Sequence, residues 1–261
     1  MCGIVGYFGN NDAVPLLIKG LKRLEYRGYD SAGLAIMSGD SFMVNKKAGK
    51  VAELESLVSE SGLTGSVGIG HTRWATHGEP SDLNAHPHTD YTGKFALIHN
   101  GIIENYATLK KLLEQKGVEF RTQTDTEVLV QLISTIYHEE DTTFETAVTS
   151  ALEKIVGTYG IIVMCSDEPN QLIAARLGSP LVLGVGEGEY FIASDASPLV
   201  EYTRNVIYLG ESECLFIGDD GYEIKKLGNS EKIDKKVSRI DFTLEEIEKG
   251  NYPHFMLKEI Y

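Results

Sequence analysis

Cysteine is scarce in this chain, and its scarcity excludes two classes of protein. Only three of the 261 residues are cysteine, namely Cys2, Cys165 and Cys214. They are too few and too scattered for a disulfide framework or for a zinc site. A reducing cytosol fits this usage and keeps a thiol at Cys2 free, so we expect a cytoplasmic protein.

The chain also lacks long apolar runs and an excess of basic charge. No run approaches ~18 apolar residues and no charged-then-apolar leader is present, so we expect neither secretion nor a membrane span. The formal net charge is −14. Because surfaces that bind nucleic acid are normally basic, this charge disfavours a nucleic acid as a partner.

The spacing of the apolar residues changes near residue 160. Before it, strands are predicted at 2–9, 66–71 and 95–99 and a hairpin within 33–47, and helices are predicted after the strands at 2–9 and 95–99. After it, short apolar runs are separated by Gly, Pro, Asp and Asn, which is typical of antiparallel strands. Strands, then helices, then strands predict a layered α+β fold and not a doubly wound parallel sheet. The later runs are 160–165, 172–176, 181–186, 190–194, 206–209, 214–218 and 221–226.

Polar residues mark the expected starts of several helices. Either Asn11 or Asp12 can cap the first helix, and Asn105 and Thr143 can cap two later ones. In the helix after Asn105, three apolar residues at helical spacing are expected to point inward. These are Leu109, Leu112 and Leu113.

Cys2 combines two reactive groups if Met1 is removed. It then carries a thiol, whose ordinary pKa is roughly 8.5, and an α-amine, whose pKa is about 7.7–8.0. One residue then supplies a nucleophile and its own general base. The alternative is that Cys2 is a small buried residue at the start of a strand.

Polar stretches elsewhere in the chain supply the other groups that hydrolysis of a side-chain amide needs. Asn100 and Gly101 offer an amide and a backbone N–H for an oxyanion. Arg73 suits an α-carboxylate and Asp125 suits an α-ammonium. A substrate with both charged groups and an amide side chain is glutamine or asparagine.

Each of these residues also has a simpler interpretation. Asp125 lies where a helix N-cap is expected, Asn100-Gly101 is a common turn pair that ends the strand at 95–99, and Arg73 can be an ordinary surface charge. The histidines form no recognised set of metal ligands, so structural or hydrogen-bonding roles are favoured for most of them. They include His71, His77, His86, His88 and His99.

Six motifs resemble one family. The chain resembles the glutaminase domain of the class II glutamine amidotransferases, in the branch that makes glucosamine 6-phosphate from fructose 6-phosphate. The resemblance covers essentially the whole chain. The motifs are CGIVGY at 2–7, LEYRGYDSAGLA at 24–35, GHTRWATHGEP at 70–80, NAHPH at 84–88, HNGIIEN at 99–105 and TDTEV at 124–128.

The resemblance implies a four-layer αββα N-terminal nucleophile hydrolase fold, with two stacked, mainly antiparallel sheets flanked by helices. It implies no metal and no organic cofactor. It also implies a role for each of nine residues: Cys2 is the nucleophile, Asn100 and Gly101 form the oxyanion hole, Arg73, Thr76, His77 and Asp125 bind glutamine, Trp74 lies on a loop that closes over the site, and Arg27 orders the N-terminal region.

The resemblance further implies a domain organisation. Residues 2–240 correspond to the glutaminase domain, and residues 241–261, with a short helix near 243–249, begin a linker to a sugar-isomerase half that binds fructose 6-phosphate. The full-length protein is expected to be a homodimer. Three alternatives remain: a glutaminase that serves another acceptor, a catalytically inactive glutamine-binding domain, and a hydrolase of the same fold that acts on another amide.

Overall fold

The computed structural model describes residues 2–241. The predicted short helix near 243–249 and nearly all of the predicted linker lie outside this range. The helices are α1 (Ala13–Leu24), α2 (Val51–Ser61), α3 (Tyr106–Gln115), α4 (Asp125–Glu139) and α5 (Phe144–Leu152). The strands are β1 (Gly3–Phe8), β2 (Ser31–Ser38), β3 (Ser41–Ala48), β4 (Val67–Arg73), β5 (His88–Thr89), β6 (Phe95–Ile103), β7 (Gly157–Cys165), β8 (Leu172–Leu177), β9 (Val182–Val185), β10 (Tyr190–Ala193), β11 (Asn205–Tyr208), β12 (Glu213–Gly218), β13 (Gly221–Lys226) and β14 (Ser238–Arg239).

The strands form two antiparallel sheets. One has the order β14-β11-β9-β10-β1-β4-β2-β3, and the other has the order β13-β12-β8-β7-β6-β5. β1 is an inner strand, because Gly3 pairs with Thr72 of β4 and Val5 pairs with Ala193 of β10. The residue before β1 is therefore held at the end of a strand that is paired on both sides.

Alternating side chains of the strands divide the core into three apolar layers. In β1, Ile4 and Phe8 lie in the layer between the two sheets, whereas Val5 and Tyr7 pack towards α1 and α2. In β7, Ile162 also lies between the sheets, while its neighbours pack against α3, α4 and α5. Helices thus cover the outer face of each sheet, and the predicted four-layer α+β arrangement is confirmed.

Hydroxyl and carboxylate side chains cap three of the helices. Asp12 accepts a hydrogen bond from the backbone N–H of Val14 at the start of α1, and Thr143 accepts one from Thr146 at the start of α5. Both caps were expected. Thr124 caps α4 by accepting from Glu127 across 3.2 Å, so Asp125 is the first residue inside that helix and not its cap.

Two expectations for α3 and its neighbourhood are wrong. Leu112 is 52% exposed, because at this position α3 turns away from the core that buries Leu109 and Leu113. Asn105 precedes α3 but makes no cap with its side chain. Its side-chain amide instead donates to the carbonyl of Lys154 and accepts from the N–H of Val156. These two hydrogen bonds stabilise the loop before β7.

The strand β6 continues past the point where the sequence predicts its end. It runs through Asn100 and Gly101 to Ile103, and Gly101 pairs with Tyr159 of β7. The pair is therefore not a hairpin turn. The polar residues stay in the strand because the ladder is formed by backbone groups, and glycine tolerates the φ of 136° at Gly101.

In residues 2–241, none of the helices combines the length and apolar character that crossing a membrane requires.

Candidate active site

A cavity of about 330 Å³ opens where β1, β4, β6 and the start of α4 meet. All nine residues to which the sequence assigned a site role line this cavity. They are Cys2, Arg27, Arg73, Trp74, Thr76, His77, Asn100, Gly101 and Asp125. The structure therefore brings together residues that are up to 123 positions apart in the chain, counted from Cys2 to Asp125.

Cys2 lies immediately before β1, and its thiol faces the cavity. Its Sγ accepts a hydrogen bond from the backbone N–H of Trp74 across 3.2 Å and lies 3.5 Å from the Trp74 carbonyl oxygen. Burial raises the pKa of the Cys2 thiol, and the N–H of Trp74 opposes this rise only in part. Close packing fixes the strand beside it, because a Cβ at Gly3 would lie 2.6 Å from the Leu24 side chain.

Asn100 connects the second sheet to Cys2. Its Nδ2 donates to the carbonyl oxygen of Cys2 across 3.0 Å, and its Oδ1 lies 3.0 Å from Nε2 of His71. The next residue, Gly101, has no room for a side chain, because a Cβ there would overlap the carbonyl of Thr158. These contacts place an amide and a backbone segment beside the nucleophile.

Arg73 is a buried residue, so the interpretation as a surface charge is wrong. It ends β4 and is only 4% exposed. Its guanidinium donates to the carbonyl of His77, to that of Gly78 at 3.1 Å and to that of Glu79 at 3.2 Å. The loop after β4 therefore wraps around the guanidinium. Burial lowers the pKa of Arg73, which is still a cation at neutral pH.

The loop that carries Trp74, Thr76 and His77 is tied to the first sheet. The N–H of Ala75 donates to Oδ2 of Asp30 across 2.8 Å. The His77 ring packs on Tyr106 with 5.3 Å between centroids. Trp74 remains 46% exposed and meets the edge of Tyr29 at 5.5 Å. The indole is thus half exposed and lines the cavity.

Asp125 begins α4 and is buried at the wall of the cavity. It is 5% exposed, and its Oδ2 accepts the N–H of Ile103 across 2.8 Å. Since Thr124 forms the N-cap, capping does not explain Asp125. A buried carboxylate at this position is suited to a cationic group of a ligand.

Arg27 reaches the cavity from a 3-10 turn, Glu25–Arg27, that follows α1. Its guanidinium forms an ion pair with Asp195 across 2.6 Å, and its Nε donates to the hydroxyl of Tyr26. Asp195 directly follows Ser194, whose hydroxyl accepts the N–H of Ile4 across 3.1 Å. Arg27 thus joins the turn after α1 to the stretch after β10, and Ser194 joins that stretch to the start of β1.

Sequence patterns missed several residues of the cavity. Ser194 is the last residue of the run predicted at 190–194, and Ser179-Pro180 lies between β8 and β9, where it separates two apolar runs. The sequence gives no other signal for these residues. Four of the five histidines named in the sequence analysis are buried and hydrogen-bonded, which agrees with the structural or hydrogen-bonding roles expected for them. They are His71, His86, His88 and His99. In the part of the chain that the structure describes, no three His, Cys, Asp or Glu residues form a group that could hold a metal ion.

Comparison with protein families gives a match over half of the chain. The family described as "Glutamine amidotransferase domain" matches residues 71–201. That range includes seven of the nine cavity residues that the sequence singled out; Cys2 and Arg27 precede it.

Several curated proteins resemble the whole chain. The glutamine–fructose-6-phosphate aminotransferase (isomerizing) of Chlorobaculum tepidum is 54% identical over 265 residues, which cover 100% of this chain and 43% of that protein. The proteins of the same name from Bacteroides thetaiotaomicron and Thermococcus kodakarensis are 53% and 49% identical, with 43% of each covered. The chain thus spans less than half the length of these relatives.

Two solved structures share the fold. The glutamine phosphoribosylpyrophosphate amidotransferase of B. subtilis, complexed with ADP and GMP, superposes with a TM-score of 0.76 at 28% identity, over 87% of this chain and 50% of that one. A structure described as the allosteric regulatory enzyme of purine biosynthesis gives a TM-score of 0.77 at 28% identity, over 88% and 50%. The predicted N-terminal nucleophile fold is thereby confirmed.

Proposed function

Because the chain belongs to the glutamine amidotransferase family, we propose that it hydrolyses L-glutamine to L-glutamate and ammonia through a thioester on Cys2. One observation carries the proposal. The thiol of Cys2 shares a cavity of about 330 Å³ with Asn100, Arg73 and Asp125. These groups match the reacting carbonyl, the α-carboxylate and the α-ammonium of glutamine.

In this proposal, Arg73 and Asp125 hold the two charged groups of glutamine. Arg73 has five N–H donors, and three hydrogen bonds join it to the carbonyls of residues 77–79. Two donors are left for the α-carboxylate. Asp125 uses one oxygen for the N–H of Ile103, and its other oxygen is available for the α-ammonium. Thr76 and His77 complete the pocket on the loop that Arg73 organises.

Attack on the amide requires removal of the thiol proton. Because burial raises the pKa of Cys2, the thiol is protonated at neutral pH and needs a base. Removal of Met1 frees the α-amine of Cys2, which takes the proton through a water molecule. The thiolate then bonds to the side-chain carbonyl carbon of glutamine, and the carbonyl electron pair moves to its oxygen.

Asn100 and Gly101 stabilise the resulting oxyanion. The Asn100 amide has two N–H groups, of which one already donates to the Cys2 carbonyl. In this proposal the other N–H and the backbone N–H of Gly101 donate to the reacting oxygen. Loss of one such donor costs about 3–4 kcal/mol of transition-state stabilisation.

Collapse of the tetrahedral species breaks the C–N bond. Ammonia leaves with the proton that the α-ammonium of Cys2 returns, and a γ-glutamyl thioester remains on Sγ. Water, deprotonated by the same amine, attacks the thioester and releases glutamate and the thiol. Trp74 at the rim limits access of bulk water, and Arg27 holds the stretch around Cys2 in place.

We further propose that this ammonia is used to make glucosamine 6-phosphate. The relatives are named for fructose 6-phosphate as acceptor, and more than half of their length lies outside the matched region. In this proposal residues 2–240 are the glutaminase domain of a cytoplasmic homodimer, and the acceptor sugar binds elsewhere in the full-length protein.

The test is release of glutamate and ammonia from glutamine by protein whose Met1 has been removed. We expect activity in this protein and none in Cys2→Ala. Activity of Cys2→Ala equal to that of the parent would contradict the thioester. No activity in either protein would favour a glutamine-binding domain without catalysis. Activity with Met1 retained, shown by mass analysis, would contradict the amine as the base.

A further inference from the structure

We propose that His71 is a positioning residue that holds the Asn100 amide in a single orientation, with its nitrogen towards Cys2. His71 does not line the cavity and its hydrogen bonds go to Asn100 and His99, so it acts through Asn100. The structural part of this inference depends only on geometry. Its consequence for catalysis rests on the proposed function.

The contacts of His71 fix the position of its proton. Its Nε2 lies 3.0 Å from Oδ1 of Asn100 and 3.1 Å from the carbonyl oxygen of His99. A carbonyl oxygen and an amide oxygen are both acceptors only. Nε2 must therefore carry the hydrogen, which it shares between the two oxygens.

The environment keeps the ring neutral, so it donates from one nitrogen only. His71 is completely buried, and burial lowers its pKa to about 3. Its Nδ1 has no hydrogen-bond partner among the residues that the structure describes. A second proton on Nδ1 would be buried without an acceptor, which is unfavourable. The tautomer with the proton on Nε2 is the one that satisfies the site.

A rotation of the Asn100 amide by 180° would lose both of its contacts. Its NH₂ group would then face the Nε2–H of His71, which places two donors together. Its oxygen would face the carbonyl of Cys2, which places two acceptors together. Two hydrogen bonds are thus exchanged for two repulsive contacts, and a single orientation of the oxyanion donor remains.

The ring of His71 is itself held in place. It stacks on His86 with 4.2 Å between centroids and 18° between planes. His86 is fixed in turn, because its Nδ1 accepts the backbone N–H of His99 across 3.2 Å. The backbone of His86 also lies close against β2, since a Cβ at Gly33 would overlap the His86 carbonyl oxygen. The donor to Asn100 is therefore oriented before any substrate binds.

The test compares variants that remove or retain the donor. His71→Phe keeps a flat ring but has no N–H, and His71→Gln offers an amide N–H near the position of Nε2. We expect kcat of His71→Phe to fall by about tenfold or more, since loss of an oxyanion donor costs about 10²–10³ in kcat. Its KM for glutamine should stay within about twofold, because Arg73 and Asp125 are unchanged. His71→Gln should recover most of kcat.

A double-mutant cycle separates positioning from any other role. If His71 acts through Asn100, His71→Phe lowers kcat no further in an Asn100→Ala background. An unchanged kcat in His71→Phe, an equal fall in both backgrounds, or a rise in KM that accounts for the whole loss overturns the inference. Where His71→Phe does not fold, His71→Met provides the same deletion with a flexible apolar chain.

Two measurements keep this test distinct from that of the proposed function. Alkylation of Cys2 by iodoacetamide forms no oxyanion and so does not need the Asn100 donor. Its rate in His71→Phe should therefore equal that of the parent protein. Faster solvent exchange of the Asn100 side-chain amide protons in His71→Phe, followed by NMR, reports the orientation directly. A parent protein that releases no ammonia contradicts the proposed function, whereas unchanged amide exchange contradicts the role of His71.

Discussion

The backbone N–H of Trp74 donates a hydrogen bond to the Sγ of Cys2 across 3.2 Å. This bond favours the thiolate, because a donor stabilises negative charge on sulfur. Burial of the thiol acts in the opposite direction and is the larger effect, so the pKa of Cys2 is raised. The Cys2 thiol is therefore protonated before the reaction begins, and a base must remove its proton.

Alkylation of Cys2 should consequently have a high pH midpoint. The thiolate is the reactive form and is populated only as the pH rises through the thiol's pKa. A raised pKa moves the midpoint of the iodoacetamide labelling rate above about 8.5, the ordinary value for a free cysteine. The measurement is labelling rate against pH, followed by mass spectrometry with Cys2→Ser as the control.

The other two cysteines serve as internal references in the same experiment. Burial raises the pKa of Cys165 to about 11 and that of Cys214 to about 12. Both should remain unlabelled in the folded protein across the range in which Cys2 reacts. A midpoint for Cys2 below that of a free cysteine, or labelling of Cys214 at the rate of Cys2, would contradict this account.

Replacement of Asp125 by Asn should weaken glutamine binding while the fold is kept. The Asn side chain retains an oxygen to accept the N–H of Ile103, but it has no charge for the α-ammonium. A hydrogen bond to a charged group contributes about 1.5–3 kcal/mol, so we expect KM for glutamine to rise roughly 10- to 100-fold. Steady-state kinetics of glutamate release provide the measurement.

Glu127→Gln is the matched control for this change. Glu127 lies in the same first turn of α4, and its carboxylate accepts the N–H groups of Arg121 and Thr122 outside the cavity lining. The control removes one negative charge from the same helix end, so KM should stay near that of the parent protein. Equal increases in KM for both variants would mean that α4 as a whole, and not the Asp125 carboxylate, controls binding.

Five members of the site could be predicted from residue chemistry, because polar motifs interrupt the apolar strands, and the other four only from the family resemblance. Cys2, Arg73 and Asn100 each lie at or near a strand whose apolar pattern identifies it, and rigid strands bring such positions together. The sequence alone allows two interpretations of Asp125. The choice between them needed the position of Thr124, one residue earlier, which only the structure supplies.

The remaining features depend on contacts over long distances in the chain. Nothing near Asp195 indicates that it pairs with Arg27, which is 168 positions away. The exposure of Leu112 depends on how α3 packs, and helical spacing alone does not determine this. The contact between His71 and Asn100 joins two sheets that the sequence presents as separate strands.

Arg73→Lys should impair glutamine binding although the charge is kept. The guanidinium donates to three successive backbone carbonyls at residues 77–79, and an ammonium lacks the fork geometry that reaches all three. The loop with Thr76 and His77 then loses its support, and the carboxylate loses the remaining guanidinium donors. We expect KM to rise by about tenfold or more, which corresponds to about 1.4 kcal/mol.

Arg176→Lys is the control for a generic loss of a guanidinium. Arg176 also donates to a backbone carbonyl, that of Leu209, and pairs with Glu211 across 3.0 Å, but it lies outside the cavity lining. This variant should lose some stability and keep the parental KM. If Arg73→Lys keeps the parental KM, the guanidinium does not contribute to glutamine binding and the proposed role of Arg73 is wrong.

Gly101→Ala should destabilise the fold more than an ordinary glycine replacement. Gly101 has a φ of 136°, and a Cβ there would overlap the carbonyl oxygen of Thr158 on β7. Gly93 is the matched control, since it also has a positive φ, 76°, but a Cβ would meet nothing within 4 Å.

Gly93→Ala should lose only the cost of placing alanine in the left-handed region, about 1–2 kcal/mol. Gly101→Ala carries an additional steric cost, because β6 and β7 must separate or Thr158 must move, so its free energy of unfolding should fall by more than about 3 kcal/mol. Denaturant unfolding of both variants provides the comparison. If both variants lose the same free energy of unfolding, β6 can shift at Gly101 without a steric cost from β7. The backbone N–H of residue 101 would then not be rigidly held beside Cys2.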